Sequence, residues 1–397
     1  MSEPEVRTLR RDEIDQVADL TARVFGRPEE VGPMRKLMRA AYESCPYMPP
    51  DLCWIAVDDG RLVAKWQVLD FQMWIAGTPI RMAGIQGVVA EPDANHKGYA
   101  RLIAERALGT VRDQGFDLAF GFAQRGGFYT RLGAVPVCAD YMLELDARQV
   151  GPLHDDPFRL ATDADLPEVI RRYNESNAHT SGPLIRTEAL WPWLVRRPQE
   201  IHLCADGYLG VTTFEDRIEI REVAGSGPAF GDAAVRKLGV LAREAGVRAI
   251  RGAVPPDHDF VNAAVPHGAT LTTTWSKRSG CIALAFAPVR LLGRLRDALE
   301  ARLRSARDAD VGLDLGVRCA GEEARIVLCA DAATTRKLDL VLSPGAVLQL
   351  AMGYRSASDV LVSEGRLQAR APGAEDVALL DVVFPRSHPF MWHTDRY

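Results

Sequence analysis

The segment EPDANHKGYARLI, residues 91–103, puts a histidine, a lysine and a glycine where an apolar run gives way to a helix-like pattern. The first amides of a helix have no partner inside it, and the helix dipole turns its positive end toward them. Such a start attracts anions, a pyrophosphate among them. Gly98 lets the backbone approach the anion closely, and Ala100 is small enough to do the same. His96 and Lys97 add donors, Lys97 with a full charge. A glycine between strand and helix is common, so for this loop alone a plain connection is the simpler reading.

Two tyrosines stand out. Tyr129 lies in GGFYTRLG, where its phenol either exchanges a proton with a reacting group or packs under a sheet beside Phe128. Tyr397 closes the segment HPFMWHTDRY, whose Phe390, Met391, Trp392 and Tyr397 are too apolar for a frayed end, so docking is expected. The eight histidines form no HExxH or Cys/His cluster, and no metal is expected. The seven cysteines are scattered, odd in number and free of CxxC pairs, which reads as free thiols in a reducing compartment.

These residues need elements to hold them. VRTL reads as a strand, and RDEIDQVADLTARVFG as a helix with Ile14, Val17, Ala18, Val24 and Phe25 at helical spacing and Gly26 as its C-cap. LCWIAV, LVAKWQVLDFQMWI and IRMAGIQGVVA are strands joined by turns at DDG and AGTP. GYARLIAERALGTVRDQG is a helix with Leu102, Ile103, Ala107, Leu108 and Val111 on one face, and FDLAFGFA is a buried strand. Strand, helix and strand at this spacing predict a parallel crossover fed by hairpins, hence a mixed sheet.

The pattern restarts near residue 155. FRLATDADLPEV (158–169) echoes VRTLRRDEIDQV (6–17), with Arg159 matching Arg7, Asp165 matching Glu13, Leu166 matching Ile14 and Val169 matching Val17. RIEIREVAGSGPAFGDAAVRKLGVLAREAGVRAIRGAV repeats strand, glycine-rich turn, helix and strand. From about 288 the texture changes again. One amphipathic helix is expected over PVRLLGRLRDALEARLRSAR, with Leu291, Leu292, Leu295, Leu299 and Leu303 as its stripe. The strands VGLDLGVRC, ARIVLCA and LDLVLS and the short helix GAVLQLAMGY follow. A chain of 397 residues is too long for one ordinary core. The expected divisions are 1–152, 153–286 and 287–397, an α+β protein with two related mixed sheets and a third α+β domain.

The strand succession, the Gly98-Tyr99-Ala100 turn and QRGGFYTRLGAVPV (124–137) together resemble the GCN5-related N-acetyltransferase (GNAT) superfamily. That family's turn reads Arg/Gln-x-x-Gly-x-Gly/Ala; here it reads Asn95-His96-Lys97-Gly98-Tyr99-Ala100, and Asn95 departs from the pattern. The three-part layout is similar to the enhanced intracellular survival (Eis) family, which has tandem GNAT domains and a C-terminal domain like sterol carrier protein. LAMGYRSASDVLVSEGRL and FPRSHPFMWHTDRY add to that likeness. In the second unit GSGPAFG does not keep the phosphate pattern, so that unit is read as structural.

The resemblance implies acetyl-CoA as co-substrate, with Val88, Val89 and Ala90 pairing with its pantetheine arm. His96, Lys97, Gly98, Tyr99, Ala100 and Arg101 would hold the pyrophosphate, and Gln124 and Arg125 would lie beside the cofactor or the acceptor. It implies Tyr129 as general acid and the α-carboxylate of Tyr397 as general base. Relatives carry Ser-Glu where this chain has Gln124-Arg125, so a charge is reversed there. Trp66, Trp74, Tyr42 and Phe25 are either acceptor-pocket walls or core. A homo-oligomer, with a hexamer among the candidates, is also implied.

The expected activity is acetyl transfer to a small-molecule amine. The alternatives are an enzyme of another acyl-CoA, or a non-catalytic protein binding a small apolar ligand or lipid through residues 287–397. A net charge of −5 and a pI near 6.0 argue against a nucleic-acid partner. The most apolar window, CIALAFAPV, is too short for a membrane span. The charged segment MSEPEVRTLRRDEID is unlike a signal peptide, which makes the cytoplasm the expected compartment.

Overall fold

The computed structural model describes residues 4–94, 98–123, 126–194, 199–276, 280–306, 310–364 and 372–397. Its architecture is α+β, with mixed sheets flanked by helices, as the sequence predicts. Among these residues the strands form two seven-stranded sheets and one three-stranded sheet. The first sheet runs Glu5–Thr8, Cys53–Asp58, Arg61–Ile75, Thr78–Ala90, Leu118–Ala123, Gly280–Ala285, Val135–Pro136. Its hairpins turn on Asp59-Gly60 and Ala76-Gly77, all four with positive φ (48°, 76°, 48° and 82°), the backbone a two-residue hairpin needs.

Helix Tyr99–Asp113 crosses from Thr78–Ala90 to Leu118–Ala123, and those strands pair in parallel, as expected. The second sheet runs Thr270–Thr274, Asp140–Asp146, Ala249–Gly252, Arg217–Gly225, Gly207–Thr213, Glu200–Cys204, Arg159–Leu160. Helix Pro228–Glu244 makes the matching crossover. The two sheets exchange strands. Asp140–Asp146 pairs inside the second sheet, and Gly280–Ala285 pairs along Leu118–Ala123 in the first.

The sequence echo has a physical basis. Arg7 donates twice to the Glu13 carboxylate at 2.7 and 2.8 Å, and Arg159 donates twice to Asp165 at 2.5 and 2.8 Å. Each carboxylate also accepts a backbone N–H three residues earlier, from Arg10 or Thr162. The same clasp thus closes each strand onto its helix.

One local reading changes and two gain detail. The expected single helix after residue 288 is two, Pro288–Arg294 and Arg296–Ser305, breaking at Leu295, although its leucine stripe is buried throughout. Gly26 caps Ile14–Phe25 in an extended conformation, because its N–H reaches Ala22 O at 2.8 Å without a left-handed turn. Helix Val31–Ser44 is an addition; only Met38, Ala41 and Tyr42 on it are buried, too few to mark a period.

Helices Ile14–Phe25 and Val31–Ser44 cover one face of the first sheet, and Tyr99–Asp113 covers the other. The first of these cores continues into the C-terminal region through Leu291, Leu295, Leu315, Val347 and Phe384. Among the described residues no helix is long and apolar enough to cross a membrane.

Candidate active site

The site begins where two parallel strands part. Thr78–Ala90 and Leu118–Ala123 pair from Met82–Leu118 to Ile85–Gly121 and no further. Past that point Thr78–Ala90 keeps only its other neighbour, Arg61–Ile75. Glu91 N–H bonds Val63 O at 2.8 Å, and antiparallel bonding alternates residue by residue. Val89 therefore spends its backbone groups on Lys65, and Ala90 turns its N–H and C=O into the fork. A bulge sets the splay: the register jumps between Lys65–Val89 and Gln67–Gln86, with Gly87 at φ +54°.

A cleft opens at the fork on the face of helix Tyr99–Asp113. Trp66, Ile85, Gly121, Phe122, Tyr129 and Leu284 line it. Tyr129 sits on the short helix Gly127–Arg131, with its ring against Phe128 at 5.1 Å and Trp66 at 6.1 Å. Burial pushes the phenol up to about 12, so it stays protonated at neutral pH. The Trp66 Nε1–H is buried and has no hydrogen-bond partner among the described residues.

The opposite face of the fork is polar. Gln67 and Gln86 stand directly across from each other, so their side chains share that face. Both amide oxygens are buried without a partner among the described residues. Beside them Lys65, 1% exposed, donates to Tyr42 Oη at 2.8 Å, and Tyr42 Oη lies 3.7 Å from Cys53 Sγ. Burial lowers the Lys65 ammonium to about 8. A Cβ on Gly87 would stand 3.0 Å from Lys65 Nζ, so the glycine makes room for the amine.

Tyr397 lies on this second face. Its ring covers Gly84, two residues before Gln86, and packs on Phe71 at 5.1 Å and Phe122 at 5.6 Å. Its phenol donates to Phe120 O at 2.8 Å. Gly84 and Phe120 are partners one register step before the fork. The expected docking of the tail is present: Phe390, Met391, Trp392, Thr394 and Asp395 are all buried.

Gly98 caps helix Tyr99–Asp113 with φ +84°, and among the described residues, its chain neighbours aside, nothing lies within 4 Å of where its Cβ would be. Glycine adopts this left-handed backbone without strain, and the amides at a helix start are a ready site for an anion. Arg101 is exposed and bonds Glu105 at 2.8 Å, and Ala100 is half-buried. The Tyr99 side chain turns inward to Asp58. Asn95, His96, Lys97, Gln124 and Arg125 lie outside the described residues.

Residues 5–137 match the family model of the acetyltransferase (GNAT) domain. No curated protein sequence matches the chain. Among solved structures the chain is similar to a GCN5-related N-acetyltransferase from Kribbella flavida, at 18% identity and a TM-score of 0.72 over 100% of this chain and 98% of that one. A GCN5-related N-acetyltransferase from Anabaena variabilis follows, at 13% and 0.75 over 98% and 99%. Eis1 from Mycobacterium abscessus gives 16% and 0.69 over 98% and 99%. At these identities the likeness is one of fold, along nearly the whole length.

The structure leaves Ala90 past the fork, with Tyr129 and Tyr397 on opposite faces of the sheet. Tyr42 and Trp66 are buried beside it, whereas Phe25 is 53% exposed. Sequence reading passed over Gln67, Gln86 and Lys65. Their one signal was polarity within mostly apolar strands, Lys65 and Gln67 on Arg61–Ile75 and Gln86 on Thr78–Ala90.

Proposed function

We propose that the protein is an acetyl-CoA-dependent N-acetyltransferase acting on a small-molecule amine, with residues 1–152 as the catalytic unit. The splay of Thr78–Ala90 from Leu118–Ala123 carries this reading, because it leaves the backbone of Ala90 unpaired by Leu118–Ala123 past a fork whose cleft Tyr129 lines. In this reading Ala90 pairs with the pantetheine arm, and the amides around Gly98 hold the pyrophosphate. Tyr129, protonated at neutral pH, supplies a proton at its Oη for the departing thiolate. The amine enters from the opposite face, where the oxygens of Gln67 and Gln86 accept its N–H groups. The carboxylate of Tyr397 takes the amine's proton, directly or through water.

The second unit does not repeat this chemistry. Gly227 precedes its crossover helix, but the Gly227 N–H is taken by Asp259 at 2.6 Å, and Pro228 has no N–H to offer. A carboxylate thus stands where a phosphate would bind, which supports a non-catalytic role for 153–286. For 287–397 a three-stranded sheet covered by helices supports the sterol-carrier-like reading.

Calorimetric titration with acetyl-CoA tests the proposal without knowledge of the amine. Saturable binding that is lost in Gly98→Glu is the expected result. Undetectable binding to the native chain would remove the reading.

A further inference from the structure

The second sheet also forks. Its parallel strands Arg217–Gly225 and Ala249–Gly252 pair only from Arg217–Ala249 to Ile220–Gly252. Beyond that point the chain's own tail packs against it. The Trp392 ring lies edge-on to His258, 6.3 Å between centroids, and its Nε1–H bonds Asn177 Oδ1 at 2.7 Å. Residues 394 and 395 meet a buried ionic cluster. Arg186 donates from Nε to Asp395 at 2.8 Å, from Nη2 to Glu222 at 2.7 Å and to Thr394 Oγ1 at 2.8 Å. Thr394 donates to Glu222 at 2.5 Å, Tyr208 donates to Glu222 at 2.8 Å, and Tyr173 donates to Asp395. The side chains of Arg186, Glu222 and Asp395 are wholly buried.

This cluster joins the second unit to the C-terminal tail. If the tail left, Glu222 would lose Thr394, and the Arg186 guanidinium would lose one of its two carboxylates inside the protein, where ions without partners are costly. The tail backbone is held as well: Phe390 N–H bonds Ser181 O at 2.9 Å, and Gly182 has no Cβ where one would stand 2.3 Å from Phe390 O. Two residues beyond Asp395, Tyr397 covers Gly84 beside the first fork.

We infer that the second unit serves as the seat of the C-terminal segment, with Arg186 and Glu222 as positioning residues that hold Thr394 and Asp395 and so place Tyr397 at the fork of the first unit. This rests on the proposed acetyl transfer only for its effect on rate. The fork of the second unit has become a grip for a piece of the same chain.

The test compares the native chain with Arg186→Met, Arg186→Lys and Asp395→Asn. Asp395→Asn keeps the shape of the site and the Arg186–Glu222 pair, so it guards against loss of folding. Hydrogen exchange of peptides covering 388–397 reports the seat. Calorimetry with acetyl-CoA reports the cofactor path, and acetyl transfer to spermidine, tyramine and a lysine peptide reports catalysis. The expected result is exchange of the tail faster by about tenfold or more in Arg186→Met and Asp395→Asn, partly restored in Arg186→Lys. Acetyl-CoA affinity stays at the native value, and kcat falls with little change in KM. A tail as protected in Arg186→Met and Asp395→Asn as in the native chain overturns the inference. A released tail with undiminished kcat upholds the seat and removes Tyr397 from the reaction.

Discussion

Gly84 lies directly beneath the ring of Tyr397, so close that a Cβ on it would stand 2.9 Å from the Tyr397 Cζ and 3.1 Å from Phe71. Gly84 is therefore the floor of the seat that brings Tyr397 to the fork. Gly84→Ala should lift the ring from the sheet and break the phenol's bond to Phe120 O. Overpacking of this kind costs about 1–3 kcal/mol. Chemical denaturation reads the loss, and hydrogen exchange at 394–397 should rise. An alanine variant as stable as the native chain, with an unchanged tail, would mean that the ring finds an equal seat elsewhere.

Tyr129→Phe keeps the ring packed on Trp66 and Phe128 and removes only the hydroxyl. Turnover should fall about 10²–10⁴-fold if the phenol is the acid, with acetyl-CoA affinity intact. Because burial holds the phenol up to about 12, the native rate should show no loss from Tyr129 ionisation anywhere below pH 10. Equal turnover in the phenylalanine variant would take the proton-donor role away from Tyr129.

Gln86→Leu tests the amine subsite. The substitution removes a buried oxygen that has no partner among the described residues, so stability should hold or improve. KM for the amine should rise by about tenfold, the worth of roughly one hydrogen bond, while acetyl-CoA binding stays the same. An unchanged KM would place the acceptor elsewhere.

Lys65 gives a pH signature. Its ammonium is lowered to about 8 in the folded chain from a usual 10.5. Below pH 8 both folded and unfolded chains carry the proton, and the buried charge is a constant cost. Between about 8 and 10.5 the unfolded chain holds a proton that the folded chain has released, so this group's contribution raises stability with pH. The full rise is on the order of 3 kcal/mol. Lys65→Met should lack this rise and should be at least as stable as the native chain at pH 7. Parallel stability-pH curves for the two proteins between pH 7 and 10 would show that Lys65 is not buried as a titrating group.

Much of the fold was legible because its rules are local. A largely apolar run between turns marked Arg61–Ile75, helical spacing marked Tyr99–Asp113, and an apolar run marked Leu118–Ala123. Arg7 and Glu13, six residues apart, recur as Arg159 and Asp165 because the same salt bridge closes the same strand onto the same helix. The glycine at 98 showed itself for a similar reason, since a left-handed helix cap is a property of one residue and its neighbours.

The site was less legible. Polar residues on a strand carry no mark of what will face them. Lys65 and Gln67 became inward groups only when Val31–Ser44 and Thr78–Ala90 closed over them. The exchange of Asp140–Asp146 for Gly280–Ala285 depends on which sheet edges lie free once both crossovers have formed. The grip of Arg186 on Asp395 joins residues 209 apart. The elements, their repeat and the apolar tail follow from residue order, because hydrogen bonding and periodicity act within a few residues. The path of the tail across one unit to the fork of the other arises only as the folded units assemble. The interactions that hold it gain their strength from burial, and burial exists only once distant segments have met.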